Sequence, residues 1–386
     1  MKRTIFYLVL VLFFCLGSMQ GCSKTIPIQE EGKNEVVIEE TTHGVCRMNL
    51  QRENYGKVVE IANNIVQSNI PVVRINGIKE GGSIDQVIHN INTFAQKGVK
   101  VLLMQSMWIE MYPEGYEQVS GPSRMSDIDP NRFRIFMNKL LEELALHTQK
   151  DAIIGLELFN EANHADFNGD LQPTPEGKGE IFKLDTPLDK SSFQDAYAGI
   201  TKYSKCLEIT RNLMDIHFTG RNVKLITQGM KSGGEQNDFR WAINNGYTIV
   251  AADMFMTLLQ GKHPDQADKT NYLQFADGIG FHAYPELFED MEGSLLTYYY
   301  DVINNVLDKP VPYWITEWGF RKELFENNGG EAKRLQYFRL FIQAVEKIGN
   351  TEMTLLFDFD LNKNHSIWEN GTLLESGTIF QEINNK

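Results

Sequence analysis

Gly155, Leu156, Glu157, Leu158, Phe159, Asn160 and Glu161 form a short apolar run that closes on an acid, within the longer stretch Ala152 to Asn163. An apolar run of this length, bounded by polar segments, reads as a buried strand. Seven other runs share its character: His43 to Leu50, Pro71 to Gly77, Val99 to Trp108, Val223 to Met230, Gly278 to Pro285, Val311 to Phe320 and Met353 to Leu361. Between them lie amphipathic helical patterns at Lys57 to Ser68, Ile84 to Lys97, Asn131 to Thr148, Ser192 to His217, Gly293 to Leu307 and Glu331 to Ile348. Strand then helix, eight times over, predicts an α/β fold of parallel strands with right-handed crossovers, a (β/α)8 barrel in one domain over residues 43–386. A doubly wound open sheet is the alternative, and no GxGxxG or phosphate loop supports it.

The chain has 386 residues, 37 basic and 51 acidic, for a net charge of −14. That balance excludes a nucleic-acid partner, which needs a basic face. Lys2 and Arg3 precede an apolar run from Ile5 to Leu16, too short for a permanent span, and Gly21 stands directly before Cys22. This layout predicts a secretory signal over residues 1–21 and resembles a bacterial lipobox, with Cys22 lipidated. Loss of the signal takes the charge from −14 to −16, so anionic headgroups repel the mature protein and the acyl chains are its only expected membrane contact. Residues 22–42, with Glu30, Glu31, Glu35, Glu39 and Glu40, read as a solvated tether. The expected location is the bacterial cell envelope, at the outer membrane. Cys46 and Cys206 remain in the domain, too few for a disulfide framework.

Three connections exceed the minimum: Ile109 to Pro130, Ala162 to Ser191 and Lys231 to Asp277. Long loops at the carboxyl ends of barrel strands wall an active-site cleft. Two acids reach that face, Glu161 at the end of the fourth run and Glu317 at the end of the seventh. Glycoside hydrolysis with retention needs a proton donor and a nucleophile about 5 to 5.5 Å apart, and opposed strands of one barrel supply that gap. Glu157 is a poor rival, since four residues of strand set it about 13 Å from Glu161. It is expected as a buried acid held by hydrogen bonds.

At these residues the sequence resembles clan A glycoside hydrolases, and within the clan glycoside hydrolase family 5, the cellulase and mannanase family. The resemblance covers the mature chain as architecture and four or five strand ends as motif. It implies that Asn160 contacts the sugar 2-hydroxyl, Glu161 is the acid/base and Glu317 the nucleophile. Arg74 resembles the clan's second-strand arginine that keeps the nucleophile ionised. His282 and Tyr284 match the family's His-x-Tyr, with Tyr284 donating to Glu317 and His282 binding substrate. The sequence departs from the family at Ala162, where proline is usual, and in an eighth strand without tryptophan, where Phe357 or Phe359 is left to floor the cleavage subsite.

Trp108, Tyr112 and Tyr116 follow the third run; Trp108 is a candidate sugar platform, and the tyrosines are expected to pack. Trp318 alternates away from Glu317 and is also expected to pack. His164, Asp166, Asn168 and Asp170 suggest a calcium loop but lack its closing bidentate acid, which leaves substrate contact as their alternative use. The resulting expectation is a cofactor-free and metal-free retaining glycosidase on β-linked glycans, β-1,4-glucan or mannan favoured. A non-catalytic glycan-binding lipoprotein and a transglycosylase on the same barrel are the alternatives.

Overall fold

Polar caps and apolar stripes set the helices before any tertiary contact does. In α1 (Tyr55–Gln67) the Asn54 side chain accepts from Lys57 N, and Val58, Ile61, Ala62 and Ile65 line one buried face. Ser83 caps α2 (Ile84–Ala95) in the same way, and Asp129 caps α3 (Pro130–His147), whose first residue is a proline. Next come α4 (Gln194–His217), α5 (Ala252–Leu259), α6 (Gly330–Ile348) and α7 (Ile379–Ile383). The computed structural model describes residues 40–79, 81–118, 121–171, 177–231, 243–284 and 303–384. All of them lie in one compact unit, Glu35–Lys386. The signal, Cys22 and nearly all of the tether lie outside the described residues, as does most of the helical pattern Gly293 to Leu307.

The strands are β1 (Thr42–Cys46), β2 (Val72–Asn76), β3 (Lys100–Gln105), β4 (Ile153–Leu158), β5, β6 (Ile279–Ala283), β7 (Tyr313–Trp318) and β8 (Thr351–Leu356). β5 comes in two pieces, Lys224–Ile226 paired with β4 and Met230–Lys231 paired with β6. All pairings in this sheet are parallel; β1 pairs with both β2 and β8, and Ile226 bridges Gly278, which closes the cylinder. The expected barrel is therefore the fold observed, with all eight runs supplying strands.

The outer faces of the strands pack on the helices through one continuous apolar layer. The lumen near the strand starts is filled by Val72, Leu102, Ile226, Trp314, Met353 and Leu355. Trp314 takes so much of this space that a Cβ on Gly278 would lie 2.7 Å from its ring. Between β5 and β6 the chain forms α5, and Ile249–Val250 pairs with Ile181–Phe182 from the loop after β4. Two of the long connections are thus bound to each other beside the carboxyl ends of the strands.

Candidate active site

Two local distortions aim the acids. Leaving β4, the chain takes positive φ at Phe159 (70°) and Glu161 (40°), a region that residues with a Cβ seldom enter. β5 supports the turn: Glu161 N donates to Gly229 O at 3.1 Å and Asn160 bridges Gly229. Such strain persists where surroundings enforce it, typically at functional sites. In β7 the register slips between Ile315, opposite Phe281, and Glu317, opposite His282. Strict alternation from Trp314 would put Thr316 and Trp318 in the lumen and Glu317 outside. The bulge instead turns both Thr316 and Glu317 inward and sends Trp318 out, to stack on Phe341 with centroids 4.1 Å apart.

Arg74 at the end of β2 organises what these distortions deliver. It is fully buried, with Nε 2.6 Å from Glu157, Nη1 2.6 Å from Glu317, and Nη2 bonded to Glu157 at 3.1 Å and Asn160 at 2.8 Å. Burial alone would lower the guanidinium's pKa, but Glu157 and Glu317 outweigh it and raise it further. Glu157 also accepts from Thr316 Oγ1 at 3.0 Å and is 0% exposed. It is the buried structural acid, out of reach of any ligand. Glu161 and Glu317, 6% and 7% exposed, keep an opening to solvent.

His282 joins these two. Its Nδ1 lies 2.6 Å from Glu161 and 3.6 Å from Glu317, so one proton lies between the imidazole and the Glu161 carboxyl. Beneath the imidazole, a Cβ on Gly229 would fall 2.2 Å from Nε2, so the backbone there must be glycine. One oxygen of Glu161, one of Glu317 and a His282 ring nitrogen all lie within 4.8 Å of one another. Among the described residues this is the one trio with the spacing of metal ligands, yet Arg74 and Tyr284 already hold both oxygens of Glu317. Burial pushes the Glu317 pKa up, but His282, Arg74 and the Tyr284 hydroxyl together pull it below the ordinary carboxylate range. Glu317 is therefore an anion ready to attack an electrophile, a few ångströms from a second carboxyl that shares a proton with an imidazole.

The sequence-derived group Arg74, Asn160, Glu161, His282, Tyr284 and Glu317 thus sits in one place. Trp108 does not join it. The structure puts Trp108 beside α2 and α3, lining a hollow of about 420 Å³ with Ile78, Ile84, Phe136, Lys139 and Glu143. Tyr112 and Tyr116 stack on each other at 4.3 Å. Asn168 and Asp170 lace the loop after β4 to the loop before α3. Asn168 binds Met125 N and Ala162 O, and Asp170 takes Ser126 N, Ser126 Oγ and Arg124. Both side chains are thus engaged within the protein itself. Phe359 is fully buried against Trp368, while half-buried Phe357 meets Tyr284 at 6.0 Å and His365 at 5.5 Å.

His365 was not expected. It packs on Tyr284 at 5.7 Å, and its Nδ1 has no partner among the described residues. Burial, then the charges of Arg334 and Arg321, hold its pKa at about 4, so it is neutral at physiological pH. Arg334, buried on α6, fixes it by donating to Phe320 O, His365 O and Ser366 O. Loop residues without periodicity give no pattern to find, and only position after the eighth strand marks this histidine.

The chain matches no protein-family model, and no curated protein sequence matches it. Solved structures do resemble it in fold. A fungal β-1,4-galactanase is 12% identical, with 89% of this chain and 99% of that one covered and a TM-score of 0.56. A Thermotoga maritima β-glucosidase in complex with galacto-hydroximolactam is 12% identical over 90% and 98%, with a TM-score of 0.54. The endo-1,4-β-mannanase of Rhizomucor miehei is 11% identical over 91% and 96%, with a TM-score of 0.50. At such identities the likeness shows a shared barrel fold.

Proposed function

We propose that this protein is a retaining glycoside hydrolase of the clan A type that cleaves β-linked glycans, of the β-1,4-glucan or mannan kind. The observation that carries the reading is the spacing of Glu161 and Glu317. Oxygens within 4.8 Å suit a nucleophile and an acid/base flanking one glycosidic bond, and leave no room for the water that inversion requires. The fold-mates named above include a galactanase, a glucosidase and a mannanase, which supports glycan chemistry on such a barrel.

In the first step Glu317 forms a bond to the anomeric carbon as the bond to the glycosidic oxygen breaks, and Glu161 gives that oxygen its proton. Water then attacks the same carbon, Glu161 takes the water's proton, and Glu317 leaves as a carboxylate. Arg74 and Tyr284 hold Glu317 ionised before attack and receive it again after release. Asn160, anchored by Arg74, is placed to meet the sugar 2-hydroxyl, and His282 keeps the proton of Glu161 in reach. Phe357 serves as the apolar floor in place of a tryptophan. Residues 1–42 complete the proposal as an export signal and tether, with lipid on Cys22 holding the enzyme at the outer membrane.

Product analysis by mass spectrometry across a panel of β-linked polysaccharides tests this reading. Oligosaccharide products from wild type and none from Glu317→Gln support it, and near-wild-type turnover by the variant overturns it. Metabolic labelling with a fatty acid, lost in Cys22→Ala, tests the anchor.

A further inference from the structure

β5 ends in Lys231, which stands in register with His282, as Met230 does with Phe281. Registered neighbours on parallel strands project to the same face. Met230 and Phe281 are both buried in the outer apolar layer, whereas His282 points into the lumen at Glu161. Lys231 therefore projects into the barrel mouth above His282.

Its backbone is clamped there. The fully buried Asn163 side chain accepts from Lys231 N at 3.0 Å and donates to Lys231 O at 3.2 Å and to Val250 O at 3.1 Å. Asn163 lies two residues beyond Glu161, so Lys231 stands on the flank of the acid/base. Lys231 is half-buried as a residue, and among the described residues no acid or acceptor pairs with its ammonium. Lys190, Lys262 and Lys322, by contrast, each pair with an acid. The charge is felt locally: burial first, and Lys231 second, hold the His164 pKa at about 4. A cation held at the mouth without a counter-ion is one that an anion on a ligand can pair by a charge-assisted hydrogen bond.

The Glu161 proton goes to the oxygen of the departing sugar, so that sugar lies on the flank where Lys231 stands; the inference rests on the reading above in this respect. Elsewhere in the mouth Glu161 and Glu317 would repel an anion. We propose that Lys231 binds an anionic substituent of the departing sugar, a carboxylate or a sulfate ester, and that the substrate is an acidic β-linked glycan. A lysine suits either group as a point charge, where an arginine fork would select planar geometry.

The test is isothermal titration of Glu317→Gln with β-linked oligosaccharides in three matched forms: neutral, uronate-bearing and sulfated. It is repeated with Lys231→Gln and Lys231→Arg added, at low and raised salt, with kcat/KM ratios for the same substrates in the active enzyme. One of the charged forms should bind about tenfold tighter than the neutral form, as a charge-assisted contact allows. Which charged form shows the preference separates carboxylate from sulfate. Lys231→Gln should abolish the preference, through KM rather than kcat, and Lys231→Arg should keep part of it. An unchanged preference in Lys231→Gln, or none in the parent, overturns the inference. Turnover of neutral glycans without acid preference sinks this inference alone. Binding of the acidic form without turnover of any glycan by the active enzyme sinks the hydrolase reading alone.

Discussion

Toward the strand starts the barrel lumen holds Val72, Leu102, Ile226, Trp314, Met353 and Leu355; toward the strand ends the same cylinder holds Arg74, Glu157, Glu161, His282, Thr316 and Glu317. The lower half is stabilised by apolar area removed from water. The upper half crowds three carboxyls around one guanidinium and one imidazole, groups whose desolvation offsets most of what their pairing contributes. It also carries the left-handed Phe159 and Glu161 and the β7 bulge. The contrast teaches that stability and chemistry are separated along one axis, with the packed half supporting the strained one.

Substitutions can break or sharpen that contrast. The largest effect is expected from Glu317→Gln, which should remove turnover while leaving the circular dichroism spectrum and unfolding midpoint near those of wild type. A collapse of the fold instead would mean that the upper half carries stability after all. Trp314→Ala empties the centre of the lower half and should cost about 3 to 5 kcal/mol in denaturant unfolding. A loss below about 1 kcal/mol would deny that half its structural part.

Tyr284→Phe removes one hydrogen bond to the ionised Glu317. Because that bond helps hold the Glu317 pKa low, its loss should raise the acidic limb of the pH profile of kcat/KM. It should also cut kcat about 10- to 100-fold, the worth of a hydrogen bond to a charged group. An acidic limb that stays in place would separate Tyr284 from the nucleophile.

The smallest effect concerns Asp358, just past β8, whose burial pushes its carboxyl up to about 7 against the pull of Asn362 N and Leu361 N. An unfolded aspartate titrates near 4, so between about pH 4 and 7 the folded state binds the extra proton, and stability from this group is lost as pH rises through that window. Asp358→Asn should flatten the fall in unfolding temperature across that range. His164 and His365, both held to about 4, work in the other direction and lose stability as pH falls below 6.5. Identical slopes in wild type and variant would contradict the assignment to Asp358.

The barrel was legible because eight apolar runs alternate with helical patterns, a signal written in composition and period. The strand-end group around Arg74, Glu161, His282 and Glu317 was legible because residue type and strand position coincide. The route by which Glu317 reaches the lumen was not, since its alternation depends on a bulge at Thr316 that tertiary pairing imposes on ordinary strand residues. Left-handed Phe159 and Glu161 are equally silent, for neither is a glycine or an asparagine. The surroundings of Trp108 were not legible, because a tryptophan at a strand exit looks the same whether it faces the cleft or the helices. His365, in a loop, and Lys231, at the very end of the second piece of β5, escaped notice because such residues acquire their surroundings only when distant segments meet.

The central claim is that Glu317 attacks an anomeric carbon across from Glu161. The most direct measurement is covalent trapping with 2,4-dinitrophenyl 2-deoxy-2-fluoro-β-glycosides of glucose, mannose and galactose, followed by intact mass and peptide mapping. The account predicts a gain of one fluoroglycosyl unit on the peptide containing Glu317, absent from Glu317→Gln. A label on any other residue, or hydrolysis of a natural substrate to products of inverted anomeric configuration, would contradict it.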